Sequence, residues 1–147
     1  MINKNTTLKL RLANIKDLHF ILKLYNQNVL KGLYFSKKKT LLKEHRIWFK
    51  DKMNKKMLFI SSLSEEKIGY IRFDYVDKKN LSVSIAVKDK YKRMGLGGQM
   101  LTKTLKKKKL SKFNIIASIK QQNLISKKFF LNLGFKFFKG NVYILKN

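Results

Sequence analysis

The chain of 147 residues has no cysteine, no proline, only eight acidic residues, two histidines and one tryptophan. Without cysteine there is no disulfide framework and no thiolate metal site. That composition fits a reducing, cytoplasmic setting. No apolar run approaches the ~20 residues that cross a bilayer, so no membrane partner is expected. The first residues, MINKNTTLKL, lack an apolar h-region, so no secretory leader is expected either. What the chain has in excess is lysine. The formal charge is +27, and the arginines are confined to Arg11, Arg46, Arg72 and Arg93. Such a balance attracts nucleic acid, anionic membranes or acidic ligands. The lysines run along the whole chain and read as a solvated basic surface; the sharper alternative is that part of the charge meets phosphates of a nucleotide or coenzyme. A nucleic-acid-binding module would carry a helix-turn-helix, zinc or aromatic RNA-binding signature, and none is present.

The length fits one domain, residues 1–147, with 44% hydrophobic residues to fill its core. Leu8, Leu10 and Leu12 alternate with polar residues and predict a half-buried strand over Thr7 to Ala13. Asn14 is placed to cap a helix carrying Leu18, Ile21, Leu22, Tyr25 and Val29 at helical spacing, ended by Gly32. A second helix follows Thr40, with His45, Trp48, Phe49 and Met53 on one stripe. The period then shortens to two. Strands are expected over Met57 to Leu63, Lys67 to Val76 and Asn80 to Val87, the first two split by a polar turn at Ser64 to Glu66. Helices are expected over Gly95 to Lys109 and Asn123 to Leu133, with a strand at Phe113 to Ile119 between them. A hairpin around Gly140-Asn141 closes the chain. The order β-αα-βββ-α-β-α-ββ predicts an α/β fold, a mixed sheet covered by helices.

The segment VSIAVKDKYKRMGLGGQML, Val83 to Leu101, carries the chemistry. A strand ends at Val87, a polar turn follows, and Gly95, Gly97 and Gly98 open an amphipathic helix. Glycines let a backbone approach a bulky anion. The first helical turn offers N–H groups without intrahelical partners, and the helix dipole favours negative charge there. A pyrophosphate is the natural guest. The segment is not a P-loop, because no Gly-Lys-Ser/Thr follows, and it lacks the third glycine of the dinucleotide fingerprint.

Lys92-Arg93-Met94-Gly95-Leu96-Gly97 is similar to the R/Q-x-x-G-x-G/A signature of the GNAT acetyltransferases, with lysine at its first position. Asn123 to Phe135, NLISKKFFLNLGF, resembles the family's N-x-x-A/S-x-x-F-Y-x-x-x-G-F. The two motifs occur in the family's order, with a strand between them. The resemblance implies a mostly antiparallel sheet with splayed central strands and acetyl-CoA as co-substrate, with no metal. It implies that Ile85, Ala86 and Val87 pair with the pantetheine arm and that Lys92 to Gly98 hold the pyrophosphate. Asn123, Ser126 and Phe130 would touch the coenzyme from the last helix. Phe130 stands where the family commonly has a tyrosine that reprotonates the departing thiolate. Phenylalanine has no proton to give, so another acid serves, water serves, or the thiolate leaves unaided.

Acyl transfer to an amine needs a group to take a proton. His45 leads, followed by Asp74 and Glu44; the plain alternative for His45 is a half-buried histidine in a helix stripe. SKKKTLLKEHRIWF, Ser36 to Phe49, looks like a stretch of GNAT enzymes that acetylate nucleotide-linked amino sugars on routes to pseudaminic and legionaminic acids. By that likeness Asn26, Ser36, His45, Trp48 and Phe49 meet the acceptor. The expected partners are a small amine, here a sugar nucleotide, and a second copy of the chain in a homodimer. A protein N-terminus is the alternative acceptor.

Overall fold

The computed structural model describes residues 6–31 and 38–147; Gly32 and Ser36 lie outside them. Among the described residues seven strands form one mixed sheet in the order β1-β2-β3-β4-β5-β7-β6. They are β1 (Lys9–Leu12), β2 (Leu58–Leu63), β3 (Glu66–Tyr75), β4 (Asn80–Val87), β5 (Asn114–Ser118), β6 (Lys136–Lys139) and β7 (Val142–Leu145). The helices are α1 (Leu18–Leu30), α2 (Leu42–Lys55), α3 (Leu96–Leu105) and α4 (Leu124–Asn132). Every neighbouring pair of strands is antiparallel except β4 with β5.

Alternation along β4 assigns the two faces. Leu81 and Val83 enter a core with Ile71 and Phe73 of β3, Met100 and Leu101 of α3 and Phe130 of α4. Ala86, on the opposite face, joins Tyr70, Leu58 and Ile60 against Leu18, Ile21 and Leu24 of α1 and Phe49 of α2. Helices thus cover both faces. The β2–β3 turn is two residues, Ser64 and Glu65, both at positive φ (45° and 68°), the twist that suits a tight hairpin.

Three expectations are corrected. The first strand is shorter than expected: Leu8 is buried, but Leu12 is 43% exposed. On α1 the buried stripe uses Leu24, with Leu22 and Tyr25 only half-buried. Helix α3 stops at Leu105, not Lys109. Its buried stripe, Met100, Leu101 and Thr104, would continue at 107 and 108, where both residues are lysine and there is nothing apolar to bury. The chain instead turns, with Leu110 N–H on Lys107 O at 2.9 Å, and seats Leu110 in the core.

A buried carboxylate locks the entry to α1. Asp17 is fully enclosed. It receives both guanidinium arms of Arg11 (2.7 and 2.9 Å), the Lys67 ammonium (2.7 Å) and Asn14 N–H (2.8 Å). Burial raises the Asp17 pKa, but the bonds from Arg11, Lys67 and Asn14 more than offset this and bring it down to about 2. Asn14 caps the short 3₁₀ turn Ile15–Asp17 ahead of α1, as its position predicts, by accepting from Lys16 N–H.

Candidate active site

Strand β4 is paired along its length with β3, from Gly69↔Val87 to Tyr75↔Leu81. Its parallel partner β5 meets it only at Asn80↔Asn114, Leu81↔Ile115 and Ser82↔Ile116. Beyond Ser82 that edge of β4 has no strand partner among the described residues. Ile85, Ala86 and Val87 lie in this parted stretch. An open strand edge is a row of unpaired main-chain donors and acceptors, ready for an extended guest.

The loop after Val87 makes a 3₁₀ turn, Asp89–Tyr91, then passes through Arg93 (φ 63°) and Gly95 (φ 73°) into α3. The N–H groups of Leu96, Gly97 and Gly98 precede Gln99 N–H, which bonds Gly95 O at 3.2 Å. These are the free donors of a helix start. At Gly95 the left-handed backbone explains the glycine, since an added Cβ would meet nothing there. At Gly97 packing also calls for a small residue. A Cβ there would stand 3.2 Å from Phe129 Cε2 and 3.9 Å from Val87 Cγ2, so this glycine lets α3 close on α4.

Two carboxylates tether the loop. Glu66, at the start of β3, takes bonds from Lys90 (2.8 Å), the Tyr91 hydroxyl and Lys88 (3.2 Å). Lys90 and Tyr91 chiefly hold its pKa at about 2. Asp89 pairs with Lys31 just past α1 and with Lys92 at 3.0 Å. Lys92 is thus bound within the loop, while Met94 is 49% exposed. A groove of about 570 Å³ runs from Gly95 and Gly98 between Gln99 and Thr102 of α3 and Phe129 and Asn132 of α4.

Asn123 caps α4, its Oδ1 accepting from Ser126 N–H at 3.2 Å, which leaves its amide N–H₂ without a partner among the described residues. Phe130 is buried edge-on between Phe129 and Phe135, ring centroids 4.9 Å from each.

The acceptor-side residues separate by role. Asn26 grips Thr40 at both main-chain groups (2.9 and 3.2 Å) and fixes the chain leading into α2. Glu44 is exposed and receives Leu41 N–H at the start of α2, 3.4 Å away. Phe49 is fully buried. His45 is 3% exposed, stacks on Trp48 (5.4 Å between centroids) and places Nε2 3.0 Å from Leu18 O. A carbonyl only accepts, so this nitrogen carries the proton of the neutral ring. The geometry is that of a buried histidine docking α2 on α1, the plain alternative in the helix stripe. Asp74 faces α2, bridged by Lys52 and 3.4 Å from Arg72 Nε. Trp48, half-buried, lies over the Arg72 guanidinium at 5.3 Å.

His45→Ala is expected to remove a buried bond and ring contacts worth about 2–3 kcal/mol. Melting should fall by roughly 5–10 °C, while folded enzyme keeps its turnover. Burial lowers the His45 pKa, against the opposing Leu18 carbonyl. With the folded pKa below the unfolded one, stability is full above about 6.5 and falls as pH drops below it. Melts of wild type and variant across pH 5–8 check both statements. A variant that melts normally and loses turnover would make His45 a reacting group.

The sheet edge that parts after Ser82 and the helix start opened by glycines leave unpaired main-chain groups on β4 and on α3. Residues 19–135 match the family model for the acetyltransferase (GNAT) family, and the chain belongs to that family. A comparison with curated proteins found no match. Among solved structures, the chain resembles an N-acetyltransferase from Staphylococcus aureus Mu50 (20% identity, TM-score 0.80, covering 95% of this chain and 98% of that one). It also resembles a GNAT superfamily phosphinothricin acetyltransferase from Sinorhizobium meliloti in complex with acetyl-CoA (19%, TM-score 0.78, 94% and 86%). A third is a ribosomal-protein-alanine N-acetyltransferase from Brucella melitensis (17%, TM-score 0.76, 93% and 96%). Among the described residues no helix is long and apolar enough to cross a membrane, and no group of three or more His, Asp or Glu could hold a metal ion.

Proposed function

We propose that this protein transfers an acetyl group from acetyl-CoA to a primary amine by direct attack, and that the amine belongs to a nucleotide-linked amino sugar. The observation that carries the transfer reading is the parting of β4 from β5 next to the free amides of α3. In this reading the pantetheine arm pairs with Ile85 to Val87. The pyrophosphate takes the N–H groups of Leu96, Gly97 and Gly98, and the free Asn123 amide donates to the arm. The amine nitrogen bonds to the thioester carbonyl carbon, the C–S bond breaks with its electrons on sulfur, and the nitrogen gives up a proton. Asp74 is our assignment for that proton. It is the cross-strand neighbour of Ser82, the last residue of β4 paired with β5, whereas His45 is enclosed and Glu44 is exposed at the start of α2. The sugar-nucleotide reading rests on the E-H-x-x-W-F resemblance, in which Trp48 is the half-buried ring beside Arg72, and on lysine charge suited to a diphosphate.

Calorimetry should give a micromolar Kd for acetyl-CoA, about −8 kcal/mol, and a UDP-linked amino sugar should be acetylated faster than peptides. Absence of coenzyme binding defeats the proposal; activity on peptides alone overturns the acceptor and leaves the transfer reaction.

A further inference from the structure

The face of β3 and β4 that looks toward α2 carries more positive charge than it neutralises. Arg72 and Asp74 alternate on β3, and their cross-strand neighbours on β4 are Ser84 and Ser82. The pairs share one face of the sheet. From α2, Lys52 reaches Asp74, and Trp48 covers the Arg72 guanidinium. Lys52 is 9% exposed as a residue, and the side chains of Arg72 and Asp74 are 24% and 30% exposed. Two cations thus share one carboxylate, which leaves one positive charge over in a half-buried setting.

Arg72 holds that excess. Its guanidinium has five N–H donors, yet it makes no hydrogen bond among the described residues, and its Nε is buried without a partner. Asp74 Oδ2, 3.4 Å away, is an ion-pair contact without hydrogen-bond geometry. Trp48 supports the plane from one side, which pre-orders the fork for a second oxyanion. Ser84, half-buried opposite Arg72, lies just past the last β4–β5 pair, at the mouth of the parted stretch.

We infer that Arg72, backed by Trp48 and flanked by Ser84, binds an oxyanion of the acceptor, so that the amine acetylated here carries a carboxylate or phosphate group. This rests on the acetyl-transfer reading and adds a specificity residue to it. A diphosphate-linked amino sugar meets the requirement; so do a sugar phosphate and an amino acid.

The test is steady-state transfer to matched acceptor pairs: glucosamine 6-phosphate against glucosamine, a UDP-linked amino sugar against the free sugar, and amino acids against their amides. Wild type should favour the acidic member of one pair by about 30-fold or more in kcat/KM, the scale of a charge-assisted bidentate contact. The pair that shows the preference identifies the source of the oxyanion. Arg72→Gln should bring that ratio close to one through a raised acceptor KM, with acetyl-CoA affinity retained by calorimetry. Arg72→Lys should restore part of the ratio. If Arg72→Gln does not fold, the wild-type ratios and Arg72→Lys decide. Equal rates on acidic and neutral amines, or a preference that survives in both variants, overturn the inference and leave acetyl transfer standing. Acetyl-CoA binding without transfer to any amine overturns the transfer reading, and this inference with it.

Discussion

Asp17→Ala, at the entry to α1, is expected to lower stability by about 3 kcal/mol. The carboxylate is enclosed, and it takes three side-chain bonds from two cations as well as a backbone bond. Removing one partner of a buried pair usually costs 3–5 kcal/mol because a buried charge is stranded. Here Arg11 and Lys67 are 43% and 32% exposed and can turn to water, which puts the loss near the lower end. For a chain of this size the melting temperature should fall by roughly 10 °C. The pH dependence has a definite sign. The Asp17 pKa drops from 3.8 to about 2 on folding, so its contribution is complete above about 4 and is lost as pH falls toward 2. Acid titration of wild type and variant should show their stability difference shrinking over that window; a constant difference would mean that packing, not charge, is at stake.

The second large effect is expected at Gly69, in the middle of β3. A Cβ there would stand 2.3 Å from Ala86 O and 3.2 Å from Val87 Cα. These are main-chain atoms of the neighbouring strand, which no rotamer change can move aside. Gly69→Ala must therefore push β4 outward, on the strand whose far edge is proposed to hold the coenzyme. We expect a loss of about 3 kcal/mol and acetyl-CoA binding weakened by about tenfold or more. Gly98→Ala is the control for stability, not for coenzyme binding. Its Cβ would make an ordinary 3.5 Å contact with Leu133, and in a helix alanine is favoured over glycine by up to about 1 kcal/mol. If Gly69→Ala melts and binds like wild type, β4 is more compliant than this packing requires.

Much of the fold was legible because its signals are local. Strand β4 runs from Asn80 to Val87 as its alternation predicts, Asn123 caps α4, and Gly140 turns the last hairpin at φ 53°. Lysine suits a helix locally, but the lysines at 107 and 108 give the α3 stripe nothing to bury, so the helix ends before Lys109. The site was legible only in part. The glycine loop and the parted strand carry motifs along the chain. Asp17, Gly69 and Arg72 do not, because each is defined by a neighbour far away in sequence: Lys67, Ala86 and Trp48. His45 stood out as a rare residue type on an aromatic stripe. Its partner is a main-chain carbonyl of α1, which no side-chain pattern announces.

The short contact between β4 and β5 has a thermodynamic side. Among the described residues, three register pairs, reinforced by the Asn114 amide on Asn80 Oδ1 at 3.1 Å, are the only ladder that joins the antiparallel half built by β1 to β4 to the half built by β5 to β7. A molecule lying along the open edge would act as a surrogate strand, completing the ladder where the chain leaves it unfinished. Its binding energy would then count toward cohesion of the whole sheet, by mass action. At a hundredfold excess over its dissociation constant such a ligand adds about 2.7 kcal/mol, comparable to what the Asp17 lock contributes from within.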